Sequence, residues 1–379
     1  EKSKIKSADI YDMLKKMEHR GPDTHGAYLD GRLIKVNEVD DLKGALSNES
    51  HIALGHSRLK ITGNGKITQP YSSCDNKLAL IHNGEIYNYQ KLKTLLLRQH
   101  QFKTSSDSEV IVHLLEETYE GDLLDALKKV IGLLDGMYTI AVTDGQSVVV
   151  ARDPIGKKPL YYIENENVTY FASEKKALWN GKDIPERLYP GDILSMDQSG
   201  TKVHEGFHMQ FPQIDIVDFR DAVELYKKTL IAAVKKRLTG LTESTIWVIF
   251  SGVIDSVLVS KLLQREGKNI ICYCTGTADS GDVLAARRDD EFLLAVDDPD
   301  VALVVDGLDR ERHLLRPTAQ EHHPVAGSPL GAVEQLGSLG GLRVEAYQPL
   351  AGLGRLGRRA RAGAARHCRE RPTGAARPS

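Results

Sequence analysis

The sequence predicts an α/β protein in two parts: a sheet-rich N-terminal part and a smaller part built on a parallel sheet. Three observations carry this. Six β-rich runs, each bounded by Gly, Asp, Asn or Pro, crowd the first 200 residues, with only two or three helical stretches among them. Farther along, a strand, a tight turn of small residues, a helix and a second strand follow in order, which is a βαβ unit and hence a parallel sheet. The length of 379 residues gives each part enough chain for its own core.

The β-rich runs are HIALGHSRLKI, LALIHNGEIYN, MYTIAVTD, SVVVARD, PLYYI and VTYFAS. Between them, SDSEVIVHLLEETYE opens on Ser-Asp-Ser and places apolar residues at Val110, Val112, Leu114 and Leu115. It reads as a capped helix packing one face on a sheet. LLDALKKVIGLL is a second helix, and sheets with helices in this proportion suggest stacked layers with the helices outside. Phe211 to Ala222 reads as a linker, and DAVELYKKTLIAAVKKRL as an amphipathic helix. The strand Ile246 to Phe250, the turn Ser251 to Ser256, the helix it opens and the strand NIICYCTG complete the βαβ unit. Its ligand is expected at the carboxyl ends of the strands.

A net charge of -2 and a pI near 6.7 give no global attraction to nucleic acid or to an anionic membrane. No apolar run reaches a membrane span of about 18 residues and no signal peptide opens the chain, so a cytoplasmic location is expected. Cys74, Cys272, Cys274 and Cys368 are too scattered for a disulfide framework. Cys272 and Cys274 share one strand face and read as a buried pair rather than a metal site. All 27 lysines lie at or before Lys268, and from about Val283 the chain turns to Ala, Gly, Leu, Arg and Pro. Residues 1–282 and 283–379 resemble products of different codon usage, which favours a frame error or a fusion over a basic binding tail. The late arginines have no aromatic residues among them, so they make a poor nucleic-acid platform.

The turn SGVIDS points several backbone N–H groups at one spot at a helix N-terminus, where the helix dipole adds positive potential for phosphate. Ser251 and Ser256 can donate hydroxyl hydrogen bonds, and Asp255 can cap the helix or approach a Mg²⁺ ion on the phosphates. The absent Gly-Lys-Ser/Thr ending argues against a P-loop. A Cβ at Val253 is expected to obstruct close approach, and to be strained if φ there is positive. The turn resembles the pyrophosphate loop Ser-Gly-Gly-x-Asp-Ser of ATP pyrophosphatases that adenylate a substrate; Ser251, Gly252, Asp255 and Ser256 match it and Val253 does not.

HRGPD (His19 to Asp23), GHSRLKI (Gly55 to Ile61), NGEIYN (Asn83 to Asn88), SDSEV (Ser106 to Val110), DGMYTIAVTD (Asp135 to Asp144) and ARDPIGKKPLYY (Ala151 to Tyr162) occur in this order. Together they resemble the class II glutamine amidotransferase domain. With the turn at Ser251 the resemblance narrows to the glutamine-dependent asparagine synthetases, over roughly residues 1–282. It implies a four-layer α-β-β-α N-terminal-nucleophile glutaminase domain over 1–210, without its opening strand. The start of an ATP-pyrophosphatase domain follows over 216–282, with a foreign tail over 283–379. Asn83 and Gly84 would be oxyanion donors. Arg58 would hold the α-carboxylate of glutamine, and Glu85 and Asp107 its α-ammonium. His19 to Asp23, Arg152 and Asp153 read as structural.

The family's nucleophile is an N-terminal cysteine with its own amine as base. Residue 1 is glutamate and no cysteine precedes Cys74, so the chain as written is expected to lack glutaminase activity. The resemblance sets the adenylate against Phe250 and near Thr275. The implied reaction amidates aspartate through a β-aspartyl-adenylate, with ATP and Mg²⁺ and with ammonia from glutamine. A relative acting on another carboxylate, or an inactive remnant, remains open, as does a homodimer.

Overall fold

The computed structural model describes residues 4–46, 49–59, 69–165, 168–209, 218–241, 243–276, 280–286 and 302–306. Residues 211–217 of the expected linker and everything after 306 lie outside this description, including Cys368. In chain order the first part comprises β1 (Ile5–Lys6), α1 (Ser7–Met17), β2 (Thr24–Leu29), β3 (Arg32–Val36), α2 (Leu42–Ala45), β4 (Glu49–Ser50), β5 (Ala53–Arg58), β6 (Tyr71–Ser72) and β7 (Ala79–Ile86). It continues through α3 (Tyr89–Leu95), α4 (Glu109–Thr118), α5 (Leu123–Ile131), β8 (Gly136–Thr143), β9 (Val148–Arg152), β10 (Tyr161–Asn165), β11 (Val168–Ala172), α6 (Lys175–Leu178), β12 (Glu186–Arg187), β13 (Ile193–Asp197) and β14 (Gly200–His204).

Four layers follow from where the side chains of one sheet go. That sheet has six strands in the order β14-β13-β9-β8-β7-β6, antiparallel throughout. Successive strand residues face opposite ways. Tyr138, Ile140 and Val142 of β8, with Leu80 of β7 and Val149 of β9, pack against α4 and α5. Ala141, Ala79, Val148 and Val150 of the same strands pack inward, against Tyr28 of β2 and Leu54 of β5. The sheet β3-β2-β5 is therefore the second β layer, and α1 covers its far side through Ile10 and Leu14 against Ala27 and Leu29. β10, β11 and β12 form a further small sheet, and α6 packs beside α1.

Local sequence explains the elements. α5 buries Leu123, Ala126, Leu127, Val130 and Ile131, an apolar stripe at helical spacing, and the Asp122 carboxylate caps it by accepting from Asp125 N at 3.0 Å. α4 departs from the expected one-faced helix: residues 109–115 are buried all round. Its expected Ser-Asp-Ser cap is also absent, because these side chains turn toward a cavity. Ser108 Oγ meets His82 Nδ1 at 2.8 Å and Asp107 accepts from Ile86 N at 2.7 Å. The β2–β3 hairpin was not among the six runs, although its Asp30-Gly31 turn, with φ of 40° and 94°, is a strong hairpin signal.

The second part comprises α7 (Phe219–Arg237), β15 (Thr245–Ile249), α8 (Ile254–Arg265), β16 (Asn269–Thr275) and β17 (Ala302–Asp306). All three strands are parallel in the order β15-β16-β17. The sheet thus runs into the stretch that composition set apart. Its core gathers Val234, Ile246, Phe250, Leu262, Leu263 and Ile270, with Cys272 and Cys274 both buried on one strand face. α7 reaches the first part through an ion pair, Lys236 Nζ to Asp135 Oδ2 at 2.7 Å, and through Arg237 lying 5.5 Å over the Tyr87 ring. Among the described residues no helix is long and apolar enough to cross a membrane.

Candidate active site

Arg58, Asn83, Gly84, Glu85 and Asp107 all line one cavity of about 230 Å³. β5 ends on Arg58, β7 carries Asn83 to Glu85 consecutively, and Asp107 stands just before α4. Arg58 and Asp107 are buried. Asn83 Nδ2 donates to Ser173 Oγ at 3.2 Å. Gly84 lies within a strand rather than a turn, and the neighbouring strand sets its need for glycine. A Cβ there would sit 2.0 Å from Met137 O. The side-chain amide of Gln69 braces β7, donating to His82 O at 2.9 Å and accepting from His82 N at 2.6 Å.

The cavity has partners that motif reading did not single out: Lys158, Arg20, His56, His82, Thr139 and Ser173 also line it. Lys158 was legible only as part of its motif, and Arg152 and Asp153 explain its position. The Arg152 guanidinium, 1% exposed, donates to Lys158 O, Leu188 O and Gly156 O at 2.7, 2.5 and 2.7 Å. Asp153 accepts from Ile155 N, Lys157 N and Lys158 N at 3.2, 2.9 and 2.9 Å. The two side chains pin the loop that presents Lys158, as their structural reading anticipated. In HRGPD, Arg20 Nη1 donates to Glu174 Oε1 at 3.0 Å.

Burial pushes the Glu85 carboxyl up to about 7 against the pull of Lys158; Asp107 adds to the rise and Arg237 opposes it. Burial lowers Lys158 from its ordinary value, with Glu85 acting the other way. Burial also holds His82 down to about 3, helped by Lys158, and His56 to about 3, helped by His82. Both imidazoles are neutral. His56 Nδ1, His82 Nε2 and Thr139 Oγ1 are buried without a hydrogen-bond partner in the protein. Such atoms need a polar ligand or water. The lining thus offers a buried cation, carboxylates and unpaired polar atoms around a space the size of a small metabolite.

The second candidate site is the loop after β15. Ser251 Oγ and Ser256 Oγ lie 3.2 Å apart, and Ser256 Oγ donates to Val253 O at 2.9 Å. Gly252 takes φ +66°, and a Cβ there would meet Ala286 N at 2.2 Å. Val253 corrects an expectation. Its φ is −95° and its ψ 161°, extended backbone that a β-branched residue adopts without strain, and its side chain is exposed. The demand for glycine falls on residue 252. Val253 is the N-cap of α8 and supplies no side-chain cap, so the first-turn N–H groups have none, which suits an anion. Asp255 is exposed in that first turn. Phe250, expected against the adenylate, is 1% exposed and packed in the core of this part, and its N–H donates to Tyr273 O at 2.7 Å. Thr275 ends β16 in register with Asp306, at the same sheet edge as the loop; its side chain lies outside the described residues.

Four layers surround a cavity lined by a buried arginine, a lysine and two carboxylates. Residues 39–212 match the family described as a glutamine amidotransferase domain. The chain is 35% identical over 298 residues to a Methanocaldococcus jannaschii protein named as a glutamine-hydrolyzing asparagine synthetase, covering 73% of this chain and 52% of that protein. It is 31% identical over 309 residues to asparagine synthetase (glutamine-hydrolyzing) 2 of Arabidopsis thaliana, covering 77% and 47%. A solved structure titled as the allosteric regulatory enzyme of purine biosynthesis superposes with a TM-score of 0.50 at 21% identity, covering 79% of this chain and 78% of that one, a likeness of fold. The chain carries a glutamine amidotransferase domain and is homologous to the glutamine-hydrolysing asparagine synthetases over about three quarters of its length. It spans about half the length of the curated relatives it matches.

Proposed function

We propose that the first part binds free glutamine as the amide donor of an asparagine synthetase. Arg58 holds the α-carboxylate, Glu85 and Asp107 the α-ammonium, and Asn83 with the Gly84 N–H faces the oxygen of the side-chain amide. The observation that carries this reading is the gathering of all five residues around one cavity with orphaned polar atoms in its wall. The second part would take ATP with Mg²⁺. The Gly252 turn and the uncapped N-terminus of α8 suit a pyrophosphate, and Ser251, Ser256 and Asp255 supply hydroxyls and a carboxylate toward it. A β-carboxylate oxygen of aspartate attacks the α-phosphorus of ATP and releases pyrophosphate, and ammonia then attacks the β-acyl carbon of the resulting adenylate and releases AMP. We place this activity in the cytoplasm, with a homodimer as an admissible assembly.

Among the described residues no cysteine lines the cavity; Cys74 lies elsewhere, at the turn after β6. Calorimetric titration of the 379-residue chain is expected to show binding of L-glutamine but not of glutarate. Arg58→Lys, checked for folding by circular dichroism, is expected to weaken glutamine at least about tenfold through the lost bidentate fork. Unchanged affinity would remove Arg58 from the site and sink the reading.

A further inference from the structure

Away from the cavity, four side chains from three segments converge. Cys74 stands on the turn between β6 and β7, His100 in the loop between α3 and α4, and His113 and Glu116 on α4. One donor atom from each lies within 4.8 Å of all the others. Cys74 Sγ is 3.7 Å from His100 Nδ1 and 3.8 Å from His113 Nδ1. Glu116 Oε2 is 3.2 Å from His100 Nδ1 and 3.3 Å from His113 Nδ1. A tetrahedral zinc ion, with bonds of about 2.3 Å to sulfur and about 2.1 Å to nitrogen and oxygen, sets S···N edges of roughly 3.6 Å and N···O edges of roughly 3.4 Å. The four measured edges are close to these values, and the remaining two pairs lie within 4.8 Å.

The rear of the cluster fits as well. His100 Nε2 meets Glu117 Oε1 at 3.0 Å, and His113 Nε2 faces Glu109 Oε1 at 3.8 Å. Each imidazole thus turns one nitrogen toward a carboxylate and the other to the common centre; for His100 the hydrogen bond to Glu117 is of the kind that fixes a metal-binding tautomer. The two imidazole side chains are only 3% and 1% exposed. His113 Nε2 has no hydrogen-bond partner.

We propose that Cys74, His100, His113 and Glu116 bind one divalent zinc ion. A thiolate and a carboxylate balance its charge, and the two imidazoles bind neutral. Binding releases the thiol proton to solvent, with no redox change. Four protein donors close the coordination sphere, so the ion is structural. It clamps the β6–β7 turn and the α3–α4 loop onto α4, the helix whose preceding residues Asp107 and Ser108 line the cavity.

The test uses the full chain. Elemental analysis is expected to give one zinc per chain, and a chelator is expected to lower Tm by several degrees, with recovery on adding zinc. Cobalt replacing zinc is expected to show the intense visible bands of tetrahedral Co²⁺ and a thiolate charge-transfer band. Cys74→Ser, at an exposed position, is expected to fold, to lose that band and to bind at least about tenfold more weakly. Glu117→Gln keeps the ligands and is expected to retain the band with weaker affinity. A chain that takes up no stoichiometric zinc or cobalt and whose Tm ignores the chelator overturns the proposal. Persistence of the thiolate band in Cys74→Ser overturns it too.

Discussion

Glu85 is the residue whose chemistry is most sensitive to pH. Its folded carboxyl ionises near 7, and a ligand ammonium binds the ionised form. Glutamine affinity is therefore expected to rise with pH between about 6 and 8 and then level off, with proton release on binding at the lower end. Titrations in two buffers of different ionisation enthalpy measure this, and Glu85→Gln is expected to flatten the profile while weakening binding. At the second site the decisive residue is Gly252. Gly252→Ala sets a Cβ against the Ala285–Ala286 backbone at positive φ and is expected to cost about 2 kcal/mol or more and to weaken ATP binding. Val253→Gly relieves no strain, so unchanged or slightly lower stability is expected, read by denaturant midpoint. Asn83 to Glu85 were legible because they are contiguous on one strand. Cys74, His100 and His113 were not, since only the fold brings positions so far apart together; the one local signal was His113 and Glu116, three apart on a helix.

Among elements, the loop from Asp153 to Lys158 shows how a buried charge serves geometry. Arg152→Ala strips donors from three carbonyls at once, and a loss of more than about 3 kcal/mol is expected by chemical denaturation. Arg152→Lys is expected to recover little of it, because one ammonium cannot reproduce the guanidinium fork that reaches two carbonyls of this loop and Leu188 O at once. The sequence suggested a structural arginine without saying what it held. The start of α4 was misread for a related reason. Ser106, Asp107 and Ser108 are residues that usually cap helices, yet tertiary contacts with Ile86 and His82 claim two of these side chains. The hairpin β10–β11 and the unit β15-α8-β16 were legible from their runs, where turn and period agree. The order of the six-stranded sheet was not, because strands buried on both faces lose the alternation that would orient them.

For the whole molecule, the described residues hold separate cores on either side of residue 210. The contacts joining them include a half-exposed ion pair worth about 0–1 kcal/mol and a cation–π contact worth roughly 0.5–1 kcal/mol. Calorimetry is expected to resolve two transitions, with a non-hydrolysable ATP analogue raising only one. The larger part is expected to be acid-sensitive. His56 and His82 stay neutral in the fold down to about 3 but take protons near 6.5 when unfolded. The unfolded chain binds more protons across that window, so stability is full above about 6.5 and falls as pH drops toward 3. Glu85 acts oppositely between about 4.5 and 7, and two imidazoles outweigh one carboxyl. The two-part plan was evident from composition and element order; the contacts between Lys236 and Asp135 and between Arg237 and Tyr87 needed coordinates.

Arg237 belongs to α7, yet its charge helps to hold down the proton affinity of Glu85 across that join. A shift of α7 by a few ångströms would retune the carboxyl without touching it. Arg237→Ala should therefore move the midpoint of the glutamine pH profile slightly upward.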